Sequence, residues 1–254
     1  MLQATPAIAP VRLWRTMGRV TAFDLAGVPG VAETTLPSTL IADLPANLAP
    51  APWSVRGSAV VWWHRAGASA RSALPAALAE THKPVMVIGG FVRYADTPVG
   101  TYDEVFGIVT SKGPGGAKDI VSTVAFMAVD SPTSLVGGRT NWSMPKTLAS
   151  FEGAPGSEMT AHSNTDRTWT VTARARALPI GISRSAKGVI RQAFPDGSLG
   201  DTSMTSGGKM RPALISVGVE SDGPLADWLR PGRRVGMLLE NVRMDFTAPT
   251  LRPA

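Results

Sequence analysis

Trp169-Thr170-Val171-Thr172-Ala173-Arg174-Ala175-Arg176-Ala177 alternates cleanly along its length. Trp169, Val171, Ala173, Ala175 and Ala177 fall on one face, and Thr170, Thr172, Arg174 and Arg176 on the other. Successive strand side chains point to opposite faces, so this pattern reads as a half-solvated antiparallel strand. Working outward, Ala213–Val219 and Val235–Phe246 read as further strands, with a short helix at Pro224–Leu229 between them. Upstream, Arg56–Arg65, with Val60-Val61-Trp62-Trp63, reads as a buried strand. Pro84–Tyr94 is a second apolar strand, and Gly89-Gly90 marks a bulge or a close approach. Val105–Thr110 and Ile120–Val129 read as strands joined by a flexible hairpin loop, Ser111–Lys118. Ala66–Thr81 has apolar residues near helical spacing, and Pro75 splits it into two short helical pieces. Ser206-Gly207-Gly208-Lys209 matches Ser-x-x-Lys in letters, but its paired glycines read as a loop.

The recurring unit is a strand, then a Gly/Pro turn. This favours a mainly β fold, an antiparallel sheet closed as a barrel or folded as a sandwich, with a few peripheral short helices. No repeat or long linker interrupts 254 residues, so the chain reads as a single domain over 1–254, with 1–52 as an irregular Pro-rich wrapping segment.

Composition removes several function classes. There is no cysteine, which excludes thiolate catalysis and disulfides. The three histidines, His64, His82 and His162, lack metal-ligand spacing, so no metal is expected. Net charge is +6, but the arginines are scattered without an aromatic-interleaved stripe. The charge suits small anions better than nucleic acid. Met1–Pro10 shows no secretory pattern and no apolar run is long enough to span a bilayer, so a cytoplasmic protein without membrane contact is expected. No dinucleotide fingerprint, phosphate loop or Gly-x-Ser-x-Gly elbow is present.

Two segments carry chemistry. In Gly138–Ala149, Lys146 sits among Trp142, Met144, Pro145 and Leu148. An apolar setting disfavours an ammonium, and a neutral amine can attack a carbonyl to form a Schiff base. The plain alternative is a strand-end lysine whose stem packs on Trp142 while its head reaches water. In Pro98–Val105, Tyr102 and Glu104 share one strand face and Asp103 takes the other. If Val105 packs outward with Asp103, Glu104 points inward, where a carboxylate needs a partner or a raised pKa. The alternative is an exposed acidic pair at a turn.

Together these residues resemble the acetoacetate decarboxylase-like superfamily. Arg139 with Pro145-Lys146 and Leu148 is similar to its nucleophile segment. Pro98-Val99-Gly100-x-Tyr102-x-Glu104 resembles the segment carrying its acidic residue. Arg56, followed by strand, helix and Pro75, resembles the unit whose arginine faces a substrate carboxylate. The resemblance implies a mostly antiparallel, cone-like barrel around an apolar cavity. It implies a lyase whose Lys146 forms a Schiff base with a small keto acid, for decarboxylation or related aldol or dehydration chemistry, without a cofactor. Glu104 would move or position a proton, and Arg56, Tyr102, Trp142 and Met144 would contact substrate. Arg139 and Pro145 would support the lysine, and a homo-oligomer is expected. The family's second lysine is replaced by Thr147, which leaves burial alone to activate Lys146. Thr140 replaces a glutamate, and a second carboxylate expected near Gly89-Gly90 has no counterpart. These departures also fit an organic-anion binding protein without catalysis.

Overall fold

The computed structural model describes residues 25–253. The expectations for Met1–Pro10, and for the wrapping segment before Leu25, lie outside the described residues. From residue 25 to 52 the chain is largely irregular, with a 3-10 turn at Ala32–Thr34 and a short helix α1 (Ser38–Asp43).

The strands are β1 (Trp53–Arg65), β2 (Lys83–Asp96), β3 (Tyr102–Lys112), β4 (Ile120–Val129), β5 (Lys146–Gly153), β6 (Glu158–Ser163), β7 (Trp169–Ala177), β8 (Ile182–Ala193), β9 (Leu199–Ser221), β10 (Gly232–Phe246) and β11 (Thr250–Arg252). Three more short helices are α2 (Ala76–Ala79), α3 (Pro132–Trp142) and α4 (Leu225–Leu229). The mainly β expectation holds. The hairpin loop before β4 and the two helical pieces around Pro75 also form where the sequence places them.

All strands join one sheet, and its pairing returns on itself because β10 pairs with both β1 and β9. Most pairs are antiparallel. The exceptions are β4 with β5 and β4 with β8. Strand β8 bridges β4 and β9, so the sheet encloses two apolar interiors. One is a packed core that includes Val60, Trp62, Phe91, Val105, Phe126 and Ile215. The other, with Trp53, Val55, Val92, Met127 and Trp142, borders a cavity.

This arrangement explains the run Val60-Val61-Trp62-Trp63. Val60 and Trp62 fill the packed core, while Val61 and Trp63 line the cavity. Strands between two apolar interiors read as continuous apolar runs. Gly89-Gly90 is a close approach without a bulge: the β1–β2 and β2–β3 registers run unbroken through both residues. A Cβ at Gly89 would fall 2.5 Å from the Trp62 ring, and one at Gly90 2.5 Å from Phe106. Ser206–Lys209, expected as a loop, lies inside β9, beside a register irregularity against β10. Among the described residues no helix is long and apolar enough to cross a membrane.

Candidate active site

Lys146 opens β5, and a β4–α3–β5 crossover puts it there. Parallel neighbours need such a connection, commonly a helix. Helix α3 begins at Ser131, whose hydroxyl accepts from the Ser134 N–H, with Pro132 in the first turn. This is a favourable helix start. The helix ends at Ser143, which adopts the left-handed region at φ 54°. The N–H groups of Ser143 and Met144 return to the Arg139 and Gly138 carbonyls. That is the usual way for a helix terminus to satisfy its last acceptors. Gln192 reinforces the turn, donating to the Ser143 carbonyl and to Val124 O. The chain then pairs Lys146 with Met127 of β4.

Glycines let α3 come close. A Cβ at Gly137 would lie 2.6 Å from Trp53, and one at Gly138 2.5 Å from Lys146 Cε. The Lys146 stem therefore runs over a bare helix surface. A glycine inside a helix costs about 1 kcal/mol relative to alanine, and here it makes room for the lysine.

Lys146 Nζ lies 2.7 Å from Glu104 Oε2 and 3.0 Å from Ser134 Oγ. The second carboxylate oxygen, Glu104 Oε1, accepts from the Tyr94 hydroxyl at 3.0 Å. Nζ also stands 5.1 Å from the centre of the Tyr102 ring, within cation–π range. Lys146 is 4 % exposed and Glu104 3 %. Tyr102 and Glu104 share a face and line the cavity as expected, but Val105 does not face outward: its side of β3 covers the packed core, and Val105 is buried there. Asp103 turns outward and takes a two-pronged contact from Arg93.

The charge state of the lysine corrects an expectation. Burial disfavours the ammonium, but Glu104 and Tyr102 outweigh it, and the Lys146 pKa lies above its ordinary value. With those neighbours in place, burial alone does not free the amine. Burial likewise raises the Tyr94 hydroxyl well above its usual range, with Glu104 adding to the effect. Burial also raises Tyr102, and the Lys146 charge partly offsets it.

The pair faces a cavity of about 420 Å³. Of the residues expected to touch substrate, Tyr102, Trp142 and Met144 line it. Arg56 does not. It is exposed on β1, on the strand face opposite Trp53 and Val55, and those two residues form the cavity wall. Alternation fixes this: once Trp53 and Val55 face inward, Arg56 points away.

Arg139 and Pro145 are buried outside the cavity wall. The Arg139 guanidinium donates to the carbonyls of Lys146, Leu25 and Thr34. It ties the lysine backbone to the segment that precedes β1, and burial lowers its pKa to about 9. Pro145 packs so closely on Gly30 that a Cβ there would lie 2.4 Å from the ring. Thr147 is buried outside the cavity wall, and its hydroxyl lacks a partner among the described residues.

Sequence reasoning misses Ser134 and Tyr94, which complete the hydrogen bonds of the ion pair. Ser131-Pro132 carries a helix-start signal that points to α3 and hence to Ser134. Tyr94 shares its β2 face with Val92 and Ile88, which also line the cavity.

No curated protein matches the chain. Among solved structures, an acetoacetate decarboxylase from Legionella pneumophila subsp. pneumophila str. Philadelphia 1 superposes with a TM-score of 0.55 at 14% identity, covering 80% of this chain and 88% of that one. The enduracididine biosynthesis enzyme MppR, complexed with pyruvate, gives a TM-score of 0.57 at 14% identity, covering 81% and 91%. MppR complexed with the condensation product of pyruvate and imidazole 4-carboxaldehyde gives 0.53 at 14% identity, covering 81% and 90%. At this identity the likeness establishes the fold. The acetoacetate decarboxylase (ADC) family model matches residues 42–179, more than half of the chain and the whole stretch from β1 through Glu104 and Lys146 to β7. The chain belongs to the acetoacetate decarboxylase family.

Proposed function

We propose that this protein is a Schiff-base lyase in which Lys146 attacks the carbonyl of a ketone or keto acid. One observation carries the reading: a buried lysine and a buried glutamate meet at 2.7 Å on the wall of an apolar cavity. A charged pair is a costly way to line such a wall. Moving one proton from Nζ to Glu104 removes both charges and leaves an amine beside a carboxylic acid. The amine adds to the carbonyl carbon and gives a carbinolamine. Glu104 returns its proton to the departing hydroxyl, water leaves, and a protonated imine remains opposite the Glu104 carboxylate. Ser134 and Tyr94 hold the two partners in place throughout.

The iminium withdraws electrons from the neighbouring carbon. Glu104 can then take an α-proton to give an enamine, or a β-carboxylate can depart as carbon dioxide with the same result. Carbon–carbon bond making and dehydration proceed from that enamine, whereas carbon–carbon bond breaking proceeds from the iminium and leaves the enamine. The complex of MppR with pyruvate supports a carbonyl ligand on this fold.

Deuterium exchange tests the proposal. In D₂O the protein is expected to exchange the α-protons of a simple ketone, followed by NMR, and Lys146→Arg is expected to abolish the exchange. The raised Lys146 pKa favours a second reading, a binding protein that keeps its ammonium. That reading predicts ketone binding with no exchange above the buffer rate.

A further inference from the structure

The cavity runs away from Lys146 along the strands. From Glu104 its wall on β3 continues to Ile108, about 13 Å at ~3.3 Å per residue. On β2 it extends from Tyr94 to Ile88, about 20 Å by the same rise. At the far end Ile88 pairs with Trp63, and Met237 pairs with Val61. All four of these residues line the cavity. The titratable groups on its wall, Tyr94, Tyr102, Glu104 and Lys146, gather away from that end. The reactive amine therefore faces an elongated apolar chamber that runs from it towards Trp63 and Met237, and that also continues past it along β1 and β10 to Trp53 and Phe246.

Its volume, about 420 Å³, falls in the range that encloses drug-sized ligands. A three- or four-carbon keto acid would leave most of it bare. The wall is also adaptable. Met127, Met144, Met204, Met210, Met237 and Met244 all line it, six of the chain's ten methionines. Flexible thioether side chains mould to ligands of varied shape.

We infer that the substrate is a carbonyl compound with a long uncharged apolar tail, its carbonyl at Lys146 and its tail along β2 and β3 towards Trp63 and Met237. This rests on the Schiff-base reading for the head of the molecule. The tail is argued from the chamber alone. Ile88 and Ile108 are half-buried and no charged side chain lines the chamber beside them, so a charged tail end finds no partner there. An alkyl tail gains with each methylene removed from water.

The test uses straight-chain 2-ketones from acetone to 2-undecanone, with pyruvate as the short charged control. Binding is followed by tryptophan emission, since Trp53, Trp63 and Trp142 line the chamber. Affinity is expected to rise about fourfold per added methylene, as burial of that group implies, until the chamber is full. Ile88→Trp, which fills the far end, is expected to cut the affinity ratio of 2-undecanone to acetone at least tenfold. Met237→Trp serves as an independent second filling, and circular dichroism checks that each variant folds. Affinity independent of chain length, or pyruvate binding more tightly than 2-undecanone, overturns the inference. Length-dependent binding without Lys146-dependent α-deuterium exchange supports the tail and overturns the Schiff-base reading instead.

Discussion

Lys146 Nζ and Glu104 Oε2 lie 2.7 Å apart, and neither side chain is more than 5 % exposed. The two groups come from different strands and meet because β3 and β5 both pair with β4. Removing one partner leaves a charge buried alone, which costs about 3–5 kcal/mol. Glu104→Leu and Lys146→Met are each expected to lower the melting temperature clearly. The double variant, with an apolar pair in an apolar wall, is expected to recover most of the loss. Thermal denaturation of the four proteins of this cycle provides the check.

Glu104→Gln keeps the shape and removes the charge that raises the Lys146 pKa. The pKa of the amine is expected to fall, because burial then acts with less opposition. α-Deuterium exchange is expected to drop by about 10²–10⁴, the range usual for losing a positioned general base. Lysine acylation rates as a function of pH, in the wild type and the variant, follow the first effect. NMR follows the second.

Gly138 is where the helix gives way to the lysine stem. Gly138→Ala puts a methyl group within 2.5 Å of Lys146 Cε. The helix itself favours alanine by about 1 kcal/mol, so the loss of exchange is expected to exceed any loss of stability. A variant with near-wild-type melting and at least tenfold slower exchange fits this account. Unchanged exchange counts against the placement of the stem.

Arg139 joins three carbonyls from separate parts of the chain. Arg139→Met leaves them without their donor, at about 1–3 kcal/mol for each acceptor left buried and unpaired. The melting temperature is expected to fall by several degrees, and Lys146 is expected to become more accessible to acylation. Mass mapping of limited acylation reads the second effect.

Two histidines give the protein an acid-side weakness. Burial lowers the His82 pKa, and Arg191 lowers it further, while Asp119 and Asp201 partly oppose this. Burial lowers His64 in the same direction. Below an unfolded-state pKa of 6.5 the unfolded chain takes up protons that the folded one does not. Stability is therefore expected to fall as pH drops from about 6.5 towards 5, before the carboxylates titrate. His82→Gln, which keeps an acceptor for Arg191, is expected to flatten that slope in denaturant titrations at several pH values.

The strand pattern of β1–β4, β7 and β10 is readable in the sequence because alternation and apolar runs follow from which faces are covered. The inward turn of Glu104 follows from the same period. Helix α3 is harder to read. Leu135 to Arg139 are all buried, so the helix lacks the polar face that makes a 3.6-residue period visible, and Gly137-Gly138 run against helix propensity. The family resemblance points Arg56 at a substrate, but Trp53 and Val55 fix the phase that turns it outward. The Lys146 charge state is not a local property at all. Its apolar neighbours in sequence favour a neutral amine, and the carboxylate that reverses this lies 42 residues away.

Borohydride reduction in the presence of a ketone tests the central claim most directly. Peptide mapping by mass spectrometry is expected to find the reduced adduct on Lys146, at the mass of the ketone less one water plus two hydrogens, and to lose it in Lys146→Arg. Adducts absent across a panel of short and long ketones and keto acids, or spread over the surface lysines with Lys146 unmodified, would contradict it.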